Sequence, residues 1–366
     1  MTDSSELAIY IHFPYCKSRC PYCDFFRGIL PRSFNEEEFV KQYLEDISMM
    51  KNVCGDRHIK SIFFGGGTPS LLSSKAIDLI INKISNNFVI NKDAEISIEA
   101  NPNSYERDKF VDFSKVGINR LSLGVQSLNE QDLKFLGRTH SINDALSALE
   151  CGASLFDKMS IDLIYARPGQ KFEDWQKEID LALEYGLKHI SLYQLTLEEG
   201  TIFAKKNIEM LDEESATELY NNTVKYLRSK EFCRYEVSNF AKEEYNISQH
   251  NMVYWEGGDY WGVGKGAHGR VIVGDKIYAQ FDGNNMEELS KEERAYELII
   301  MGLRIEKGID KNVFKKVCGL DLFDFISYDK LNEFNKLGLL FFDDNVIKLT
   351  DNGFLLMDKV ILELCS

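Results

Sequence analysis

The sequence has little positive charge for its size, since 43 lysine and arginine residues stand against 58 acidic residues and give a net charge of −15. An acidic chain is a poor partner for nucleic acid, because phosphate binding requires a basic surface. The sequence also lacks an apolar run approaching the ~20 residues that span a bilayer. Its first residues, MTDSSELA, are polar and acidic, unlike a secretory signal. We therefore expect a cytoplasmic protein with no transmembrane segment and no nucleic-acid partner.

No internal repeat and no low-complexity linker divides the 366 residues, of which 44% are hydrophobic. That content is enough for one large domain and a small one. We predict three parts, which are a core barrel over residues 1–200, an irregular and aromatic-rich connection over 201–290, and a compact domain over 291–366.

Six strand-length apolar runs alternate with helical patterns in the first two hundred residues. The runs cover residues 7–13, 59–65, 94–100, 119–125, 158–165 and 189–195. Their content of Ile, Leu, Val and Phe is typical of buried parallel strands, and helical crossovers between them predict a right-handed α/β fold. Periodicity alone leaves open a full barrel, an open barrel or a flat sheet. In all three, the active site is expected at the carboxyl ends of the strands.

The last part of the chain predicts a small α+β domain. Amphipathic helices over residues 293–305 and 328–338 precede a hairpin over 339–350. The order helix, helix, hairpin is consistent with a winged-helix-like domain.

Three cysteines, Cys16, Cys20 and Cys23, lie within eight residues directly after the first run. Zinc sites usually complete four ligands with paired cysteines or histidines, and the other five cysteines are isolated, so a structural zinc site is the weaker alternative. Three thiolates on one loop can hold three irons of a [4Fe–4S] cluster, whereas an electron-transfer cluster has four such ligands. The fourth iron can then bind S-adenosylmethionine (SAM), whose reductive cleavage yields a 5′-deoxyadenosyl radical.

Polar and small residues at or near the strand ends predict a SAM pocket. The stretch FFGGGTPS closes the second run, and its glycines let a ligand approach the backbone, although glycines after a strand often form only a turn. Glu99 is suited to ribose hydroxyls or a cationic group, unless it is a surface acid. Arg138 is suited to the SAM carboxylate or to a surface ion pair. Asp162 lies inside an apolar run, where a lone aspartate usually has a reason.

Nine stretches of the chain resemble the family of oxygen-independent coproporphyrinogen III dehydrogenase (HemN) and its relatives. They are IYIHFPYCKSRCPYCDF, FFGGGTPSLL, ISIEANP, RLSLGVQSL, IDLIYARPGQ, SLYQLTLEEGT, YEVSNFA, HNMVYW and GVGKGAHG. The resemblance covers nearly the whole chain. It implies an α/β radical SAM fold, a partial (β/α)6 barrel with a small C-terminal winged-helix-like α+β domain, that holds a [4Fe–4S] cluster and SAM. By position it implies that SAM is lined by Tyr10, Tyr22, Gly66, Gly67, Thr68, Glu99, Gln126, Arg138, Asp162 and Gln194.

Within this family the chain is most similar to the heme chaperones of the HemW type. Phe25 stands where the HemN pattern has a further cysteine, and HemN carries several dozen residues ahead of its cluster loop, whereas Cys16 here is near the start. The residues His250, Asn251, Tyr254 and Trp255 resemble a heme-associated motif. Histidine is a common heme ligand and aromatic rings can cover the macrocycle, although a histidine among aromatics is more often a packed core residue.

One stretch departs from the family. ARPGQ, at residues 166–170, stands where relatives typically have Gly-Leu-Pro. The loss of that glycine limits the backbone angles available to the loop that follows Asp162.

Three functions stay open on the sequence alone. The first is a heme chaperone that delivers heme to acceptor proteins, including membrane-bound respiratory enzymes, and visits the membrane surface to do so. The second is the oxidative decarboxylation of coproporphyrinogen III, and the third is a radical SAM reaction on another substrate. All three share the cluster and SAM and call for an electron donor. Phe25 favours the first, so that dehydrogenase activity is not expected.

Overall fold

The computed structural model describes residues 5–365, except for the side chains of residues 104 and 105. In chain order, its strands are β1 (Glu6–Phe13), β2 (Tyr15–Cys16), β3 (Gly28–Ile29), β4 (His58–Gly66), β5 (Val89–Ala100), β6 (Arg120–Gln126), β7 (Lys158–Tyr165), β8 (His189–Gln194), β9 (Cys233–Arg234), β10 (Asn239–Ala241), β11 (Tyr260–Val263), β12 (His268–Val273), β13 (Lys276–Phe281), β14 (Asn285–Leu289), β15 (Ile309–Asp310), β16 (Leu340–Phe342) and β17 (Val346–Leu349). Its α-helices are α1 (Glu36–Cys54), α2 (Ser74–Asn87), α3 (Ser104–Arg107), α4 (Phe110–Lys115), α5 (Glu130–Phe135), α6 (Ile142–Leu155), α7 (Phe172–Leu183), α8 (Ile202–Lys205), α9 (Glu213–Ser229), α10 (Gln249–Trp255), α11 (Lys291–Gly302), α12 (Lys311–Cys318), α13 (Tyr328–Lys336), α14 (Asp351–Leu355) and α15 (Met357–Leu364).

The six predicted strands form the parallel centre of one large sheet. They are neighbours in the order β1-β4-β5-β6-β7-β8, and every adjacent pair is parallel. Helices connect them, as parallel strands require. The predicted α/β class is therefore confirmed, and β7 has the predicted bounds.

The sheet is open rather than closed on itself. The two outermost strands of the parallel centre, β1 and β8, pair with further strands, β11 and β10. No pairing therefore joins β1 to β8 within residues 5–365. This arrangement agrees with a partial barrel, in which the strands curve around one face without completing a ring.

The segment 201–290 is not irregular throughout, because it supplies both flanks of the large sheet. β9 and β10 extend the sheet beyond β8, and β11 to β14 extend it beyond β1. These strands span only two to six residues, which is too short for a period-two pattern to stand out. The sequence could not show that this segment returns to the sheet.

The C-terminal part has its own hydrophobic core, which includes Leu298, Phe314, Leu331, Ile347 and Val360. Strands β16 and β17 form the predicted hairpin, and β15 pairs with β17 to give a small antiparallel sheet. Helices α11 to α15 pack around this sheet, in keeping with a small α+β domain. Over residues 5–365, the structure contains no helix that is both long and apolar enough to cross a membrane.

Candidate functional site

A cavity of about 390 Å³ lies at the carboxyl ends of the parallel strands. Most of the predicted cluster and SAM residues line it, namely Cys16, Cys20, Tyr22, Cys23, Gly66, Gly67, Thr68, Glu99, Gln126, Arg138, Asp162 and Gln194. Tyr10 and the four residues of the His250 motif are outside this lining. The fold thus brings residues from seven separate strands or loops to one place, as expected for the carboxyl edge of a parallel sheet.

The cysteine loop begins at Cys16, the last residue of β2, and returns through β3, which pairs with β2. All three cysteines are reduced and half-buried. Among residues 5–365, no three His, Cys, Asp or Glu side chains are grouped so as to hold a single metal ion. A cubane cluster differs from a single ion, because each iron takes its own thiolate and the ligands stand apart at the corners. The donor set, three thiolates on one short loop, fits a [4Fe–4S] cluster.

Gly67 lies where the chain leaves β4 and passes under the cysteine loop. Its N–H donates to the Phe13 carbonyl at 2.7 Å, and the Thr68 N–H donates to the Tyr15 carbonyl at 2.9 Å. A Cβ at Gly67 would lie 2.4 Å from the Tyr15 carbonyl oxygen. Glycine is required here by the close approach of the strand that carries Cys16, a reason that the sequence alone did not reveal.

Glu99 is held at the end of β5 by the backbone of the glycine run, since the Gly66 N–H donates to its Oε2 at 3.2 Å. Burial, together with the nearby charge of Asp162, raises the pKa of Glu99 to about 8. Burial also raises the pKa of Asp162 to about 6, and the Ser122 hydroxyl donates to both of its carboxyl oxygens. At neutral pH the Glu99 carboxyl is mostly protonated, so it can donate as well as accept a hydrogen bond.

Arg138 is anchored beside the cluster loop and keeps one unused donor. Its Nη2 donates to Asn101 Oδ1 at 2.5 Å and to the Gly124 carbonyl at 2.6 Å, and its Nη1 donates to Cys20 Sγ at 3.4 Å. Its buried Nε has no partner among the described residues. A buried guanidinium with a free N–H at a cavity fits a carboxylate ligand such as that of SAM.

Gln126 reaches the cavity from a strained backbone. It ends β6 with φ of 73°, in the left-handed region that non-glycine residues rarely occupy. Such a conformation costs about 1–3 kcal/mol and persists where the surrounding structure holds it, often at a binding site. The strain supports a ligand-facing role for this side chain.

The four residues of the His250 motif lie on α10, which packs against the amino-terminal half of the sheet. The His250 ring is buried and stacks on Phe63 with ring centroids 5.0 Å apart. Its Nδ1 is 2.8 Å from the Ser61 hydroxyl and its Nε2 is hydrogen-bonded to the Tyr254 hydroxyl. Burial lowers the pKa of His250 to about 3, so the ring is neutral. Asn251, Tyr254 and Trp255 are partly exposed.

The inner face of the parallel sheet carries polar side chains, of which the sequence interpretation singled out only Asp162. We call this surface the polar face, and it comprises Ser61, Glu95, Arg120, Ser122, Lys158, Ser160, Asp162, His189 and Ser191. Glu95 pairs with Arg120 at 3.2 Å and Lys158 at 3.5 Å, and it also accepts from the His250 backbone N–H. A signal was present, because polar and apolar residues alternate in several of these strands, as with Lys158, Ser160 and Asp162 in β7. The runs alternate and are not continuously apolar.

Comparisons with known proteins agree with this fold. A family model described as the radical SAM superfamily matches residues 10–182, and a model described as the HemN C-terminal domain matches residues 289–356. The solved structure of HemN, the coproporphyrinogen III oxidase of Escherichia coli, superimposes with a TM-score of 0.82 at 21% identity, covering 99% of this chain and 90% of that chain. At that identity the match establishes the fold alone.

Sequence relatives identify the family. "Heme chaperone HemW" of Escherichia coli (strain K12) is 37% identical, covering 75% of this chain and 73% of the relative. The protein of the same name from Buchnera aphidicola (subsp. Acyrthosiphon pisum) is 33% identical, covering 85% and 86%. "Radical S-adenosyl methionine domain-containing protein 1, mitochondrial" of Mus musculus is 35% identical, covering 99% and 88%. With three such relatives matched over most of their length, the chain belongs to the radical SAM superfamily, in the family that includes the HemW proteins.

Proposed function

We propose that this protein is a heme chaperone built on a radical SAM core, which binds heme and passes it to acceptor proteins in the cytoplasm or at a membrane surface. The observation that carries the proposal is its similarity, over most of the chain, to proteins named heme chaperone HemW. The exposed Phe25 adds support, because the HemN pattern has a cysteine at that position.

We assign the [4Fe–4S] cluster to Cys16, Cys20 and Cys23, and SAM to the adjoining cavity. The free Nε of Arg138 fits the SAM carboxylate. Glu99, which can donate and accept, fits a ribose hydroxyl or the amino group. When both are bound, the cluster and SAM supply one-electron cleavage of the sulfonium, which requires an electron donor.

We assign heme to the surface around α10, where Tyr254 and Trp255 offer partly exposed aromatic faces beside a neutral imidazole. As placed, His250 cannot ligate iron, because both of its ring nitrogens already have hydrogen-bond partners. Ligation through Nε2 requires that the Tyr254 hydroxyl give up its bond and that the buried ring become accessible to heme. In that case the Tyr254 hydroxyl controls whether His250 Nε2 is available to iron, and the Tyr254 ring can pack against the macrocycle once the bond is broken.

The test is a heme titration of anaerobically prepared protein, beside an incubation with coproporphyrinogen III, SAM and a reductant. We expect heme binding and no protoporphyrinogen IX. His250→Ala should shift the Soret band and weaken heme retention. Tyr254→Phe, the matched variant that frees Nε2 and keeps the ring, should retain heme at least as well as the unchanged protein, with the same Soret band. A chase with apomyoglobin measures whether bound heme can be released.

Each outcome has a separate meaning. Turnover to protoporphyrinogen IX would replace the chaperone function by that of the dehydrogenase. An unchanged Soret band in His250→Ala would remove the ligand assignment and leave heme binding in place. Heme that is bound but never released to apomyoglobin would contradict transfer, since a chaperone must give up its cargo to a competing acceptor.

A further inference from the structure

Arg27 lines the cavity beside the cluster loop and holds that loop with three hydrogen bonds. Its Nε donates to Cys23 Sγ at 3.0 Å, which makes a direct bond between a guanidinium group and a thiol proposed to hold the cluster. Its Nη2 donates to the carbonyl oxygens of Cys23 at 3.1 Å and Cys20 at 3.4 Å. One side chain thus contacts one cysteine sulfur and closes the turn that joins two of the three cysteines.

The backbone that carries Arg27 is tied to the sheet on both sides. On one side, the carbonyl of Phe26 lies 3.0 Å from His12 Nε2, and His12 Nδ1 lies 3.0 Å from the Tyr10 hydroxyl. On the other, the Gly28 N–H donates to the Pro14 carbonyl at 2.7 Å. These bonds link the Arg27 position to β1 and β2. The guanidinium is therefore presented to the sulfur by an ordered backbone, as a tuning group requires.

Two neighbouring arginines show that this contact is selective. Arg19 lies inside the loop and Arg32 lies just after β3, and both are exposed. Neither has a bond to a cysteine sulfur among the described residues. Arg138 does reach Cys20, but it belongs to the proposed SAM pocket. Arg27 also lines the cavity, but its side-chain hydrogen bonds go to the cluster loop.

We propose that Arg27 sets the reduction potential of the cluster by donating a charge-assisted hydrogen bond to the Cys23 thiolate. Reduction adds one negative charge to the cluster, and part of that charge resides on its sulfurs. A cation and an N–H held against a ligand sulfur stabilise the reduced state more than the oxidised state, and therefore raise the potential. Arg27 is a positioning residue, since it acts through Cys23. The inference rests on the cluster ligation proposed above.

The experiment is a redox titration of the reconstituted cluster followed by electron paramagnetic resonance, on the full-length protein and three variants. Arg27→Gln removes the charge and the Nε donor, so we expect reduction to become about tenfold less favourable, a shift of about 59 mV to more negative potential for a one-electron couple. Arg27→Lys keeps the charge and loses the planar guanidinium group, so its reduction potential should shift in the same direction by a smaller amount. Arg19→Gln, which removes a charge from the same loop, should leave the potential unchanged.

Iron analysis precedes the titration, and each protein should hold about four irons per chain. An unchanged potential in a fully loaded Arg27→Gln protein would overturn the proposal. So would loss of the cluster in both Arg27 variants, because Arg27 would then serve assembly. If the potential of Arg19→Gln shifted as much as that of Arg27→Gln, the change would come from the overall charge of the loop. That result would overturn the role of the hydrogen bond. A full cluster in Cys20→Ala would instead refute the ligation itself. Heme binding does not enter this test, so it can fail while the chaperone function stands.

Discussion

Two carboxyl groups, Glu99 on β5 and Asp162 on β7, face the same cavity from either side of β6. Burial disfavours the ionised form of both, and the charge of Asp162 further disfavours the ionised form of Glu99. Their pKa values of about 8 and about 6 are therefore well above those of exposed acids. Between these two values the pair retains one proton, which belongs mainly to Glu99. The site is then less negative at neutral pH than its sequence indicates, which favours a ligand that carries its own carboxylate.

The raised pKa of Glu99 makes the stability of the ligand-free protein depend on pH. An acid whose pKa is higher in the folded state contributes its full stability below the unfolded value of about 4.5, and loses it as the pH rises through about 8. Each pKa unit of the difference corresponds to about 1.4 kcal/mol. We expect Glu99→Gln to flatten the decline in the free energy of unfolding between pH 5 and pH 8, measured with urea. Glu198→Gln, at an exposed position of the same cavity, is the control. Equal slopes in the unchanged protein and Glu99→Gln would show that Glu99 is ionised throughout.

The loop between β7 and α7 carries an alanine in a backbone conformation that favours glycine. Ala166 adopts φ of 59°, the left-handed conformation that glycine supplies most easily. The restriction expected from the missing glycine takes the form of backbone strain at Ala166. The next residue, Arg167, is buried, and its Nη1 donates to Glu178 Oε2 on α7 at 3.3 Å. Glu178 also accepts from the Leu128 N–H at 2.7 Å, so the ion pair joins this loop to the loop after β6.

Substitutions at Ala166 should separate backbone strain from packing. Ala166→Gly relieves a left-handed alanine, which costs about 1–2 kcal/mol. The same substitution removes a buried methyl group, which lowers the free energy of unfolding by about 0.8 kcal/mol. It also increases the conformational entropy of the unfolded chain, which lowers the free energy of unfolding by about 0.4–1 kcal/mol more. We expect the free energy of unfolding to change by less than about 1 kcal/mol. Ala166→Val should destabilise by about 1–3 kcal/mol or more, because a branched side chain overpacks the core and resists this conformation. A Val variant as stable as the Gly variant would contradict the left-handed backbone.

At the scale of the whole molecule, Arg234 joins the large sheet to the C-terminal domain. It lies on β9, is buried, and its Nη2 donates to Glu306 at 2.7 Å and Asp351 at 2.9 Å. Its guanidinium also lies 3.6 Å from the centroid of the Phe354 ring, and Nη1 donates to the Tyr220 hydroxyl. The two carboxylates are 44% and 51% exposed, so burial is concentrated on the cation. The buried guanidinium of Arg234 is thus neutralised by carboxylates at the surface, and it forms one of the contacts between the sheet and the domain.

Because the arginine is buried and the two carboxylates are half-exposed, removing the carboxylates should lower the free energy of unfolding more than removing the arginine. The double variant Glu306→Ala with Asp351→Ala leaves a buried guanidinium without an anion, and should destabilise the protein by about 3–5 kcal/mol. Arg234→Met removes the buried charge and leaves two solvated carboxylates, so it should cost less, about 1–2 kcal/mol. Urea unfolding at constant salt measures both. A larger loss in Arg234→Met would show that the arginine acts through its packing on Phe354 and not as a charge.

What the sequence determined by itself is the local part of the protein. The spacing of the three cysteines, the six apolar runs and the residues at the strand ends are short-range features, and they were sufficient for the parallel sheet and most of the cavity lining. Even here, the reason for Gly67 was not visible, because the Tyr15 carbonyl that excludes a side chain lies 52 positions earlier in the chain.

The tertiary structure decided which distant groups meet. Ser61 and His250 are 189 positions apart, and Glu95 and Arg120 are 25 apart, yet both pairs meet at the polar face. Only the folded structure shows that both ring nitrogens of His250 form hydrogen bonds within the protein. Likewise, only the folded structure shows that the short strands of segment 201–290 extend the sheet. Periodicity reports burial along one strand, whereas the pairing of strands and the neutralisation of a buried charge depend on residues that the chain brings together only when it folds.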